Sequence, residues 1–300
     1  MKIEKWVLEN TGSLNGKTVA VTGLTGGIGR ELCAYIAALG ASLILVDRNR
    51  ARSESFRDEL LARFPHINVC CVGAELDDIE SVRAACEQLE NMDVDIFIHN
   101  AGAYSIPRKK CSTGLDNVYQ INFASPYYMI NKLLPKLRAR SGRVVVVGSI
   151  AHRYSRTDPK DIDFSTRTRL SLVYGNSKRY LMFSLYELFR GEETVKLAVT
   201  HPGITFTGIT AHYPKVIFAI IKHPMKIIFM KPRRACLSVL RGIFEDCGYC
   251  QWIGPRFFDI WGMPKRKQLR SCSDEEIGEI YDNAKRIFEE QAGDKIKGSK

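Results

Sequence analysis

A chain of 300 residues with 45% hydrophobic and 26% charged side chains has the composition of a folded globular protein, which excludes a disordered polymer and leaves apolar mass for a large core. The formal charge of +11, from 44 Lys and Arg against 33 Asp and Glu, would suit nucleic acid, anionic lipid or a phosphate-bearing cofactor and chooses none of them. Nine thinly spread cysteines exclude a small secreted disulfide scaffold and point to reduced thiols in the cytoplasm, while residues 1–15 carry Glu4 and Glu9 and lack the apolar run of a secretory signal.

In chain order, residues 1–15 read as an N-terminal arm. Short apolar runs at residues 19–21, 43–46, 69–72, 96–98 and 144–147 read as strands, and their near-continuous hydrophobicity implies burial on both faces. Amphipathic stretches at 28–39, 52–63, 79–90 and 115–137 lie between them, as parallel crossovers require. A helix over about 177–189 and a sixth strand over 196–200 follow. The pattern predicts an α/β fold, a doubly wound parallel sheet of the Rossmann kind, in one domain over residues 16–269. Past the sixth strand the pattern turns irregular, where ligand loops belong. Residues 216–221 and 227–230 are strongly apolar but broken by Lys222, His223 and Pro224, so no membrane span is expected. Asp274, Glu275 and Glu276 suit the N-terminus of a helical tail over 270–300.

Thr22, Gly23, Leu24, Thr25, Gly26, Gly27, Ile28 and Gly29 follow the first strand and open the first crossover helix. Glycine there lets backbone approach a pyrophosphate, and the helix N-terminus offers unpaired N–H groups and a positive dipole end. Asp47, at the end of the second strand, can accept hydrogen bonds from an adenosine ribose and would repel a 2′-phosphate, which favours NAD. Arg48, Arg50 and Arg52 follow at once and suit a phosphate, so NADP is the alternative.

Tyr174 and Lys178 stand four apart, on one face of a helix. A phenol is a poor base at neutral pH, but a neighbouring ammonium favours the phenolate, so the pair forms an acid/base unit.

With the glycine turn and the sheet pattern, these motifs make residues 14–269 resemble the short-chain dehydrogenase/reductase family. Its Asn-Ala-Gly element appears as Asn100, Ala101 and Gly102, its helix-borne Asn as Asn122, its strand-five Ser as Ser149, and its Pro-Gly element as Pro202 and Gly203. The resemblance implies that Tyr174 is the general acid/base, that Lys178 tunes it and holds the ribose, that Ser149 orients the reacting oxygen, and that Asn122 anchors a relay water. It also implies that Ile204 and Thr207 contact the nicotinamide carboxamide, and that the chain is a homodimer or homotetramer. Glu75 stands where the family often has Asp near the adenine; Asp77 is a substitute. The long interval from Ser149 to Tyr174, and the later Phe258, Asp259, Ile260, Trp261 and Gly262, are similar to the retinol-dehydrogenase-like branch.

Residues 204–232 occupy the family's variable substrate lid, and their apolar side chains suit a hydrophobic alcohol or ketone, a hydroxysteroid or bile acid first and retinol or another lipid alcohol second. A non-catalytic dinucleotide-binding sensor is the rival reading, which has no chemical need for Tyr174, Lys178, Ser149 and Asn122. Lys215, Lys222, Lys226, Lys231, Arg233 and Arg234 read as a solvated face, with anionic lipid or a substrate carboxylate as the alternative partners. Cys247 and Cys250 have the spacing of half a zinc site without a second pair, so no metal is expected. No nucleic-acid reading element accompanies the positive charge, and no nucleic-acid partner is expected. His99, His152 and His201 adjoin these motifs and read as structural residues.

Overall fold

Strands that must be covered on both faces need helices above and below, and the computed structural model, which describes residues 2–24, 26–204 and 230–293, has that arrangement. Six strands lie near where the apolar runs predict them: β1 (Thr18–Thr22), β2 (Ser42–Asp47), β3 (Val69–Gly73), β4 (Ile96–His99), β5 (Arg143–Val147) and β6 (Lys196–Thr200). Two more, β7 (Gln251–Phe257) and β8 (Trp261–Gln268), complete one sheet in the order β3-β2-β1-β4-β5-β6-β7-β8. All neighbouring pairs are parallel except β7 with β8, an antiparallel hairpin.

Alternate side chains feed opposite layers. Val19, Val21, Leu43, Leu45 and Ile98 pack with Leu32 and Ile36 of α2 (Gly27–Ala38), Phe56 and Leu60 of α3 (Arg50–Arg63) and Leu237 and Leu240 of the later helix Pro232–Phe244. Ala20, Ile44, Val46 and Phe97 face α4 (Ile79–Glu90), α6 (Ser125–Ala139), α7 (Leu170–Leu188) and the last helix, Asp274–Ala292. The order reverses between β1 and β4, and the crevice at that switch point is where a doubly wound sheet takes its ligand.

Several elements depart from the sequence reading. The arm contains α1 (Ile3–Asn10), whose Trp6 is buried in the same layer as α2, a contact worth about 3 kcal/mol of apolar burial. The helix expected from residue 115 starts as α5 (Asn117–Tyr119), capped by Asp116, and passes through a π-helical segment, Gln120–Ala124, before α6. Helix α7 starts at Leu170, well before residue 177. The Pro232–Phe244 helix, α8, opens on a proline at its first turn, where the missing N–H costs nothing. The C-terminal helix, α9 (Asp274–Ala292), begins on the Ser273 cap and ends at Gly293 in the left-handed region. Among the described residues no helix is long and apolar enough to cross a membrane.

Candidate active site

The site is assembled where β1, β4 and β5 end. Thr22 closes β1, and its Oγ1 accepts from the backbone N–H groups of Asn100 and Ala101 at 3.1 Å each, while Asn100 Nδ2 donates back to the Gly23 carbonyl at 2.8 Å. The two strand ends are thereby stitched together. Gly23 has φ +71°, and a Cβ on it would lie 2.5 Å from the Ala101 Cα; a Cβ on Gly29 would lie 2.4 Å from the Gly23 carbonyl oxygen. Both positions therefore exclude any side chain. The N-terminus of α2 opens on a cavity of about 440 Å³, lined among others by Gly26, Gly27, Ile28, Asp47, Arg48, Asp77, Gly102 and Tyr104.

This cradle fits a dinucleotide. The glycine turn leaves room for a pyrophosphate at the α2 N-terminus, and Asp47 and Arg48 stand together at the β2 end of the cavity. Asp47 is buried, with Oδ1 accepting from the Asn49 N–H at 3.1 Å. Glu75 is exposed and outside the lining, whereas Asp77 lies in it and pairs with Lys109 at 2.8 Å.

At the other end, Asn122 sits inside the π-helical segment, where the displaced ladder leaves the Val118 carbonyl to its side chain. Its Nδ2 donates to Val118 O at 2.8 Å and Ala103 O at 2.6 Å, and its Oδ1 accepts from the Ala103 N–H at 3.1 Å. Asn122 thus pins the loop after β4. Lys178 Nζ donates to the Val147 carbonyl at 2.8 Å and is buried; a Cβ on Gly102 would reach within 3.6 Å of it. Ser149 caps the short 3-10 turn Ile150–Arg153, its Oγ accepting from the Ala151 N–H at 3.2 Å, and the Tyr174 hydroxyl is hydrogen-bonded to Ser149. The Tyr174 ring meets Tyr104 edge-on at 5.1 Å, and Tyr104 is the link between these residues and the cavity. The sequence reading missed Tyr104, although its place two residues past Asn-Ala-Gly puts it on the same strand-end loop.

The electrostatics correct one expectation. The spacing of Tyr174 and Lys178 predicts a phenol pulled down by the ammonium; instead, the surrounding protein strips water from both groups. Tyr174 is pushed up to about 12, with only the Ser149 hydrogen bond opposing, and Lys178 is pulled down to about 7. The Lys178 nitrogen lies 5.9 Å from the centre of the Tyr174 ring and is directed at a carbonyl. Burial therefore outweighs the pair's attraction.

Pro202 and Gly203 are buried behind β6, Gly203 with φ +80° and packed on Pro255, Met230 and the Ile260 carbonyl. Both backbone groups of Ile204 are bonded, its N–H to Ile260 O at 3.3 Å and its C=O to the Met230 N–H at 2.9 Å. Thr207 and residues 205–229 of the expected lid lie outside the described residues. The three histidines are buried: His99 Nδ1 is 3.1 Å from Thr22 Oγ1, His152 Nδ1 is 2.6 Å from Ser149 O, and His201 stacks on Trp252 at 5.0 Å. Burial holds His152 and His201 down to about 4, so both are neutral at pH 7.

The turn bearing Ser149 is braced from outside. Arg179, buried and next to Lys178, donates to His152 O at 3.0 Å, Ser271 O at 2.7 Å and Glu276 Oε1 at 2.7 Å, and that oxygen also accepts from the Thr157 N–H at 3.1 Å. These bonds hold the Glu276 carboxyl down to about 2 from its ordinary 4.5. A folded-state pKa below the unfolded one stabilises above the unfolded value, and that stability is lost as pH falls through the folded value. Thermal unfolding from pH 5 to pH 2 is therefore expected to drop further in the wild type than in Glu276→Gln; equal slopes would exclude Glu276 as the acid-sensitive brace.

Comparison with known proteins agrees with this motif order. The profile of the family described as short chain dehydrogenase matches residues 17–158. Retinol dehydrogenase 14 of Mus musculus is 29% identical over 79% of this chain and 79% of its own, and that of Homo sapiens is 32% identical over 67% and 65%. An uncharacterized protein of Mycobacterium paratuberculosis, 22% identical, shares the fold over 94% of this chain and 96% of its own with a TM-score of 0.73. Profile, relatives and fold converge with the residues: the chain belongs to the short-chain dehydrogenase family, NAD(P)-dependent oxidoreductases of alcohols and their carbonyl partners.

Proposed function

We propose that this oxidoreductase interconverts a lipophilic alcohol of the retinoid or lipid-alcohol class and its carbonyl compound, with NAD preferred over NADP. The observation that carries the reaction is the Ser149–Tyr174 hydroxyl pair, with Tyr154 beside it and Tyr104, which lines the cavity, edge-on at 5.1 Å. Aromatic walls around two hydroxyls suit a reacting oxygen carried on an apolar body. The retinol dehydrogenases among the relatives support a lipid alcohol over the hydroxysteroid or bile acid that the lid sequence suggested first.

When bound, the nicotinamide supplies the hydride acceptor or donor. The α2 N-terminus with Gly26, Gly27 and Ile28 would hold the pyrophosphate, Asp47 the adenosine ribose, and Lys178 the nicotinamide ribose. Tyr174 takes the proton from the alcohol oxygen in oxidation and returns it in reduction, and Ser149 fixes that oxygen by a second hydrogen bond. Lys178, held near 7, carries a full positive charge only on the acid side of neutrality. Asn122 keeps the loop from Ala101 to Ala103 in place.

Initial rates at the nicotinamide absorbance band, with NAD and NADP in parallel, test this across retinol, long-chain alcohols, hydroxysteroids, bile acids and small secondary alcohols. Turnover of lipid alcohols above the rest, with NAD ahead, is expected. Preference for a hydroxysteroid or for a small alcohol would overturn the substrate class, and preference for NADP would make Arg48 the reader of the adenosine end.

A further inference from the structure

The β7–β8 hairpin ends in a cluster of aromatic side chains facing water. Phe258 is 80% exposed, Trp261 50% and Phe257 45%, and the rings of Phe257 and Trp261 lie 5.0 Å apart across the register pair that closes the hairpin. An apolar tip of this size in solvent is expensive unless something covers it. Its charge is one-sided. Residues 256–267 carry Arg256, Lys265, Arg266 and Lys267 against the single acid Asp259, and Asp259 is buried and already bonded to Lys267 at 2.7 Å and Arg153 at 3.4 Å. Among the described residues, Arg256 and Lys265 form no ion pair; Arg256 lies over the Phe257 ring at 5.6 Å.

We propose that this hairpin tip is a docking surface for the interface of an anionic phospholipid bilayer, with Phe257, Phe258 and Trp261 entering the headgroup boundary and Arg256 and Lys265 meeting lipid phosphates and carboxylates. Aromatic rings beside cationic side chains are the chemistry that such an interface selects, and each cation near the surface adds attraction to anionic lipid. A second copy of the chain is a poorer occupant, because a two-fold contact would set the Lys265 and Arg256 side chains of both copies against each other.

The surface adjoins the active site. Arg153 ties the hairpin turn to the segment after Ser149, Tyr154 next to it is 54% exposed and stands beside Tyr174, and Ile260 within the turn accepts the Ile204 N–H. A docked protein would thus present its active-site mouth toward the bilayer, and a lipophilic substrate could pass from lipid to Tyr174 with little exposure to water; this last step alone rests on the substrate class proposed above.

The test uses the whole chain with vesicles of phosphatidylcholine, with and without phosphatidylserine. Of the three tryptophans, Trp6 and Trp252 are buried and Trp261 is exposed, so a change in emission on mixing reports the hairpin tip. The expected results are flotation with the phosphatidylserine vesicles, weakening with added salt, a blue shift of Trp261, and its quenching by brominated acyl chains. The double variant Phe258→Ser, Trp261→Ser is expected to bind roughly tenfold less or weaker still, because two rings no longer leave water. Failure of the wild type to float, or equal flotation of the double variant, would overturn the proposal. So would a wild-type oligomer that the double variant dissolves, since the tip would then be a subunit contact. Vesicle binding needs no turnover, so silence in the alcohol panel with flotation intact would remove the substrate class and leave the docking surface standing.

Discussion

Replacing Tyr174 by phenylalanine is expected to lower kcat by roughly 10²–10⁴-fold while dinucleotide affinity stays within about twofold, because only a proton-transferring hydroxyl is lost. The ring can stay where it is: its edge contact with Tyr104 at 5.1 Å involves no hydroxyl, and Ser149 keeps its bond from the Ala151 N–H at 3.2 Å. Stability should change by about 1 kcal/mol, the worth of one half-buried hydrogen bond. Stopped-flow turnover, with binding read by quenching of reduced nicotinamide fluorescence, separates the outcomes. A variant that keeps wild-type turnover would take Tyr174 out of the chemistry. A variant that loses dinucleotide affinity to the same extent would make the residue a structural support. The pH profile adds a sign. Tyr174 stands at about 12 without a bound partner, so alcohol oxidation by the wild type should rise with pH well above neutrality as the phenol ionises more readily, and the variant should lose that alkaline rise.

The sequence carried the first six strands of the sheet plainly, because strands such as Arg143–Val147 are covered on both faces and need little besides valine. It was nearly silent on β7 and β8. Gln251–Phe257 contains Gly254 and Pro255, and Trp261–Gln268 contains Pro264 and three successive cations, all of which read as breakers. They pair because β8 is the edge strand and β7 meets β6 only at Trp252 and Ile253, so Pro255 lies past the end of that ladder and the β8 charges can face water. Helix α1 was hidden for another reason: Ile3, Trp6 and Val7 recur at helical spacing and pack on one cluster, but eight residues are too short a stretch for that period to stand out. In the site, the spacing of Tyr174 and Lys178 gave their common face, but whether charge attraction or burial governs them depends on residues far apart in sequence, Tyr104, Ser149 and Val147 among them. The bracing of the Ser149 turn by Arg179 and Glu276 spans 97 positions and has no local signature at all.

Gly29→Ala should damage the dinucleotide site more than its one added methyl suggests. The new Cβ would stand 2.4 Å from the Gly23 carbonyl oxygen and 2.7 Å from the Leu24 Cα, and neither atom belongs to a flexible side chain. Helix α2 or the turn before it must move by several tenths of an ångström. The turn is also bonded to β4 through Asn100 Nδ2 at 2.8 Å, so it has little freedom to yield. Overpacking of this kind costs about 1–3 kcal/mol of stability. The displacement falls on the N–H groups and dipole end that would meet the pyrophosphate, so dinucleotide affinity is expected to weaken roughly tenfold or more beyond the stability loss. Gly278→Ala in α9 is the matched control, since nothing lies within 4 Å of the added Cβ, and a helix interior gains about 0.5–1 kcal/mol when glycine becomes alanine. Calorimetric titration of both variants with NAD, beside their thermal unfolding, decides the matter. If Gly29→Ala binds NAD as the wild type does, then the close approach of α2 to the turn does not govern dinucleotide binding, and the cradle reading of the glycine turn fails with it.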